Sequence, residues 1–238
     1  MPIDPQLLQK GFTLQAALEV STVAIGLPEI AGDYNQLLVF GHAGSDFWKS
    51  LDEPLTGSDP LDCMSIKMVE DFLQRIGCAH YLVLYPSADL QIDLRALGKQ
   101  LGWHADSALG IGINAIHGTW FAYRVVVLAN TFYEIHDETH DETQTNNLAE
   151  APCGKCITRP CVDACPVGAP GVTFDLQACM GERVREGSAC AYQCLARNAC
   201  PVGTEYRYDQ DQMRYHYQKS LQLIQSNSLI DIGTIGLG

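Results

Sequence analysis

The sequence predicts an α+β protein in two parts, a sheet-and-helix domain followed by a small cysteine-rich module, and three observations carry that reading. Its 238 residues, 47% of them hydrophobic, are enough to bury a substantial core beside a smaller unit. Helical and strand patterns alternate loosely through residues 1–133 with no Gly-rich phosphate loop after the first strand, which favours an α+β sheet over a doubly wound nucleotide fold. Eight of the ten cysteines fall between residues 153 and 200, and charge divides at the same place: residues 153–207 hold six basic side chains against five acidic, the remainder nine against twenty-three. The expected parts are therefore 1–133 as the α+β domain, 134–150 as a linker, 151–205 as the cysteine module and 206–238 as a C-terminal helix and tail.

Asp4 and Pro5 open a first helix whose apolar face runs through Leu7, Leu8, Phe12, Leu14 and Leu18. The apolar run at 36–42 reads as a buried strand, and Asp62 caps an amphipathic helix that Gly77 ends. A strand at 80–85 precedes Pro86, and a helix over 90–102 follows it. Two strands turn at His117 and Gly118, the second running from Trp120 to Leu128 with aromatic and β-branched residues. The stretch 134–150 repeats HDET in tandem and reads as a solvated acidic linker, although His136 and His140 stand four apart, as the ligands of a surface metal site would. Residues 208–225 make a tyrosine-rich helix able to cover the module, and the end of the chain reads as an arm.

The net charge of −13 argues against a nucleic-acid partner, because counterion release needs clustered Lys and Arg. A redox partner protein or a small-molecule substrate suits it better. The N-terminus MPIDPQLLQKGF has no basic stretch leading an apolar core, so a reducing, cytoplasmic setting is expected and disulfides are disfavoured. No apolar run approaches the roughly 18 residues of a membrane span.

Residues 153–166, CGKCITRPCVDACP, nearly spell an iron-sulfur signature, but four residues rather than two separate Cys156 from Cys161. In two-cluster ferredoxins the cysteine before proline ligates the other cluster. Applied here, that rule gives Cys153, Cys156, Cys161 and Cys200 to one 4Fe-4S cluster, and Cys165, Cys179, Cys190 and Cys194 to a second, with none of the eight left over. Lys155, Arg159, Arg183 and Arg197 would offset the clusters' negative charge and raise their potentials. Two four-cysteine zinc sites use the same residues and remain the rival. Cys63 and Cys78 lie outside the pattern and read as small buried apolar residues.

With those ligands placed, residues 153–203 resemble the ferredoxin-like module of epoxyqueuosine reductases and reductive dehalogenases, through CPVGA at 165–169, the lone Cys179 and the group from Cys190 to Pro201. Three gaps are longer than that pattern, after Cys156, Cys190 and Cys194. Over residues 36–130, QLLVFGHAGSDFW, DPLD and LGIGINAIHGTWFAYRVVVLAN are similar to cobalamin-processing proteins of the CblC type, which are nitroreductase-like; LGW at 101–103 and GTWF at 118–121 resemble the corrinoid domain of the epoxyqueuosine reductases. Those resemblances imply cobalamin near Trp120, Phe121, Arg124 and His104, with His117 as a further polar group and Arg124 holding a thiol cosubstrate. The chain departs from them at GWHADS and INAIHG.

The leading functional expectation is an oxidoreductase-type protein relaying single electrons through two clusters to an acceptor on the N-terminal domain, with a corrinoid as that acceptor. The rivals are a ferredoxin-like carrier whose N-terminal domain docks a partner enzyme, and a flavin-dependent reductase, for which the sequence has no flavin-specific residues.

Overall fold

Asp4 begins the first helix as its sequence dictates: in the computed structural model, which describes residues 2–51, 55–90, 92–135 and 151–235, its carboxylate accepts the Leu7 N–H at 2.7 Å and Pro5 occupies the first turn of α1 (Pro5–Gln9). The helix does not continue to Leu18. Gly11, at φ +86°, turns the chain back, and Leu14–Glu19 is a strand, β1. A side chain at Gly11 would collide with the Phe47 backbone nitrogen, so only glycine serves there.

β1 joins β2 (Gln36–Ala43), β3 (Tyr81–Tyr85) and β6 (Phe121–Ala129) in a four-stranded sheet of order β1-β2-β6-β3, antiparallel at every pairing. The short strands β4 (Ala105–Asp106) and β5 (Gly112–Ile113) form a separate pair. The mixed α+β class expected from the sequence is thus observed. β2 is buried along its whole length because both faces of the main sheet are covered. On one face Leu14, Leu18, Leu37, Val39, Val126 and Leu128 pack with Leu97, Leu101 and Trp103. On the other, α2 (Asp46–Lys49) and α3 (Pro60–Arg75) bring Phe47 and Phe72 to Phe12 and Phe40, with ring centroids 5.1–6.4 Å apart and edges to faces. Asp59, not Asp62, precedes α3; Asp62 falls in its first turn, where a carboxylate complements the helix dipole.

The sheet contains an irregularity that positions one candidate residue. Gly41 opposes Tyr123 and Phe40 opposes Val125, so Arg124 is the extra residue of a β-bulge. Beyond β3, Asp93 accepts the Arg95 and Ala96 N–H groups at 3.0 and 2.9 Å and starts α4 (Leu94–Gln100). Asp93→Ala is expected to cost about 1 kcal/mol, read as a small shift of the urea midpoint with unchanged slope.

The chain divides into two compact units, Met1–Ala105 with Trp120–Leu148, and Asp106–Thr119 with Ala149–Gly238. Residues 106–119, including β5, group with the cysteines, whereas the sequence pattern places them within 1–133. The Gly171 N–H donates to the Ala108 carbonyl at 3.2 Å, the Phe174 side chain lies against Gly110, and Arg197 Nε donates to Thr119 Oγ1 at 3.2 Å. Further α-helices of this unit are α5 (Pro152–Lys155), α6 (Pro160–Asp163), α7 (Leu176–Val184), α8 (Leu195–Ala199) and α9 (Gln210–Ile235). α9 continues through residues expected to form an arm, and it packs on α7. The stretch with His136 and His140 lies outside the described residues. Among the described residues no helix is long and apolar enough to cross a membrane.

Candidate metal centre

Short helices and tight turns bring the cysteines of the second unit into two groups. Cys153 lies on α5 and Cys156 ends it; Arg159, left-handed at φ +42°, then turns the chain so that Pro160 can open α6 with Cys161. The extra residues of the long gap are this turn, and a non-glycine residue there carries backbone strain. Cys194 and Cys200 stand at the two ends of α8. Cys153 and Cys161 each interact electrostatically with Cys156 and Cys200. Cys179, on α7, interacts with Cys194, Cys165 and Cys190. These last four line one cavity of about 180 Å³, together with Arg183, Arg197 and Tyr217.

Burial pushes the thiols of Cys153, Cys161, Cys179 and Cys190 above their ordinary range, and the neighbouring thiols add to the effect. Backbone N–H groups also aim at sulfur: Ala169 N–H donates to Cys165 at 3.4 Å and Arg197 N–H to Cys194 at 3.3 Å. Leu195 likewise donates to Cys190 and Ala108 to Cys153. Burial also raises the Tyr217 phenol to about 12, so its hydroxyl keeps its proton at neutral pH. Arg183 Nε is buried with no hydrogen-bond partner in the cavity wall. A buried guanidinium N–H in a residue that lines the same cavity as four thiols is a donor that an anionic group there would satisfy. Among the described residues no three His, Cys, Asp or Glu side chains are grouped as a single-ion site. Cys78 is buried as expected, whereas Cys63, on the outer side of α3, is exposed.

The residues expected to surround a second cofactor are not gathered at one place. Trp120 is fully buried and presents no surface to a ligand. Phe121 packs with the core face that contains Trp103, and His104 meets its ring edge-on at 6.5 Å. Arg124, turned by the bulge, faces the other way: its Nε donates to His42 Nδ1 at 3.0 Å, its guanidinium lies 5.4 Å over the Phe47 ring, and Asp62 is 3.9 Å away. Sequence reasoning missed His42 and Tyr217, since neither has a local signature.

His117 lies in the second unit, half-buried against the Tyr206 ring, and burial depresses its pKa below the ordinary 6.5. The unfolded chain then binds the proton more readily, so the stability held above pH 6.5 is lost as pH falls through the folded value. The melting temperature is expected to drop on acidification from pH 6.5 down to the folded value, and His117→Gln to flatten the drop; an unchanged slope in the variant would refute the assignment.

No protein-family model matches the chain. No curated protein matches it by sequence. Among solved structures it is similar to an epoxyqueuosine reductase in complex with an epoxyqueuosine-modified tRNA-Tyr stem loop, at 14% identity and a TM-score of 0.48, over 88% of this chain and 66% of that one. The enzymes of the same name from Bacillus subtilis and Streptococcus thermophilus give TM-scores of 0.46 and 0.44, each at 14% identity, over 84% and 83% of this chain. The chain spans 64–66% of the length of these structures.

Proposed function

We propose that this chain is an iron-sulfur electron-transfer protein whose second unit is a ferredoxin-like module holding two 4Fe-4S clusters, one on Cys153, Cys156, Cys161 and Cys200 and the other on Cys165, Cys179, Cys190 and Cys194. The observation that carries the reading is the sorting of eight thiols into two fours against their order in the chain. Cys165 stands with Cys179, Cys190 and Cys194, while Cys200 stands with Cys153 and Cys161. The donor set is all thiol, backbone N–H groups point at the sulfurs, and a buried arginine donor awaits an anion. Two four-cysteine zinc sites would use the same thiols, but zinc does not require the crossed Cys-Pro grouping of these thiols.

A bound cluster supplies one-electron transfer at a potential tuned by charge, hydrogen bonds and exposure. The chain's own residues supply the rest. The cysteines hold, the Cys-Pro turns cross-link the two sets, and partial burial limits water. A corrinoid on the nitroreductase-like domain would need His104, Trp120, Phe121 and Arg124 on one wall, and they are divided between the core and both faces of β6. The reading we favour is therefore the carrier, in which the first unit docks a redox partner protein.

Iron and acid-labile sulfide analysis of anaerobically purified protein tests it, with paramagnetic resonance after reduction. About eight irons and eight sulfides per chain are expected; zinc without labile sulfide would overturn it.

A further inference from the structure

Resting on the two-cluster reading, we propose that Arg183 and Tyr217 make the cluster on Cys165, Cys179, Cys190 and Cys194 the electron-accepting member of the pair. Arg183 follows Cys179 by four residues on α7, so its guanidinium and that thiol share one helix face. α9 fixes the guanidinium there: Nη1 donates to Ser220 Oγ at 2.8 Å, Nη2 donates to the Tyr217 carbonyl at 2.8 Å, and the group lies 5.0 Å over the Tyr217 ring. With those nitrogens engaged, Nε–H is the donor left buried in the cavity wall.

Tyr217 adds a second donor. Its hydroxyl shares a hydrogen bond with Arg197 and lies near Cys194. Because the guanidinium can only donate, the phenol oxygen accepts, and the phenol's own proton is free to point at sulfur. Arg197 is itself anchored by Thr119, whose carbonyl and hydroxyl both accept from it, and it lies 5.0 Å over the Tyr208 ring. Glu182 also lines the cavity, but its carboxylate is held by Arg185 at 2.7 and 2.9 Å and by Ser188 at 2.8 Å.

The other set is served differently. Arg159, the cation acting on Cys153, is exposed and screened by solvent, and Arg207 donates to the Cys200 carbonyl, not to its sulfur. Reduction adds one negative charge to a cluster, and buried cationic donors stabilise that charge more than exposed ones do. One electron delivered by an external one-electron carrier therefore comes to rest on the Cys165 set: the carrier is oxidised by one, the Cys165 set is reduced by one, and the Cys153 set keeps its starting oxidation state, with no bond made or broken.

The test is a redox titration of the full chain followed by paramagnetic resonance, with signals assigned through Cys156→Ser and Cys179→Ser. The signal lost in Cys179→Ser should appear first on reduction. Arg183→Gln should shift the partition of one electron at least tenfold toward the other cluster, about 59 mV in midpoint. Arg183→Lys should fall between, and Tyr217→Phe should shift the same cluster in the same direction with full iron content. If Arg183→Gln loses iron, the other two variants decide. Equal shifts of both signals, no shift, or first reduction of the Cys153 set would overturn the proposal. Absence of labile sulfide in the unsubstituted protein would instead overturn the two-cluster reading on which it rests.

Discussion

Replacing Cys200 with serine should halve the iron and labile sulfide, from about eight to about four of each per chain, and abolish the resonance signal of the cluster on Cys153, Cys156 and Cys161. In sequence Cys200 is closest to Cys194, so wiring by proximity would predict loss of the other signal. The fold explains why proximity misleads. Cys194 and Cys200 flank α8, whose five residues set them at opposite ends of a rod about 7.5 Å long. Cys194 faces the cavity with Cys165, Cys179 and Cys190, whereas Cys200 lies where α6 packs on α8 and interacts with Cys153 and Cys161. Cys165→Ser is the reciprocal experiment and should remove only the second signal. Loss of the Cys194 cluster in the Cys200 variant would refute the crossed arrangement.

The grouping of the thiols is legible in the sequence because cysteine spacing and Cys-Pro pairs are local signals that constrain distant partners. Other features have no such signal. β1 reads as helix because Leu14, Ala16, Ala17 and Leu18 are all buried, and a strand covered on both faces loses its alternation. Arg124 reads as a pocket residue in a regular strand; a bulge set by its pairing with β2 turns it to His42 and Phe47. The helix over Gln210–Ile235 is readable from its composition, but the bonds from Arg183 to Tyr217 and Ser220 join residues 34 and 37 positions apart, which no local pattern encodes. Residues 106–119 read as part of the first unit for the same reason: what binds them to the cysteines is contact with residues far along the chain, Gly171, Phe174 and Arg197 and, at Gly118, the backbone of Val202 and Gly203.

That contact makes Gly118 a sensitive position in the second unit. Gly118 has φ +59°, and a Cβ there would collide with the Val202 carbonyl oxygen, while a Cβ on Gly203, at φ +64°, would collide with the His117 carbonyl from the other side. Gly118→Ala should therefore cost about 1–2 kcal/mol for the left-handed backbone and about 1–3 kcal/mol more for forcing two main chains apart. Gly187, with φ +70° and open space within 4 Å of where a Cβ would stand, separates the two contributions, since Gly187→Ala incurs the backbone strain alone. Urea unfolding of the two variants should thus differ by the contact energy. Val202 is two residues beyond Cys200, so moving it displaces a ligand of the proposed first cluster, and Gly118→Ala should lose the Cys153 signal before the Cys179 signal. Equal stability of the two variants, with both signals intact, would show that the glycine contact neither ties residues 106–119 to the cysteine unit nor holds Cys200 in place.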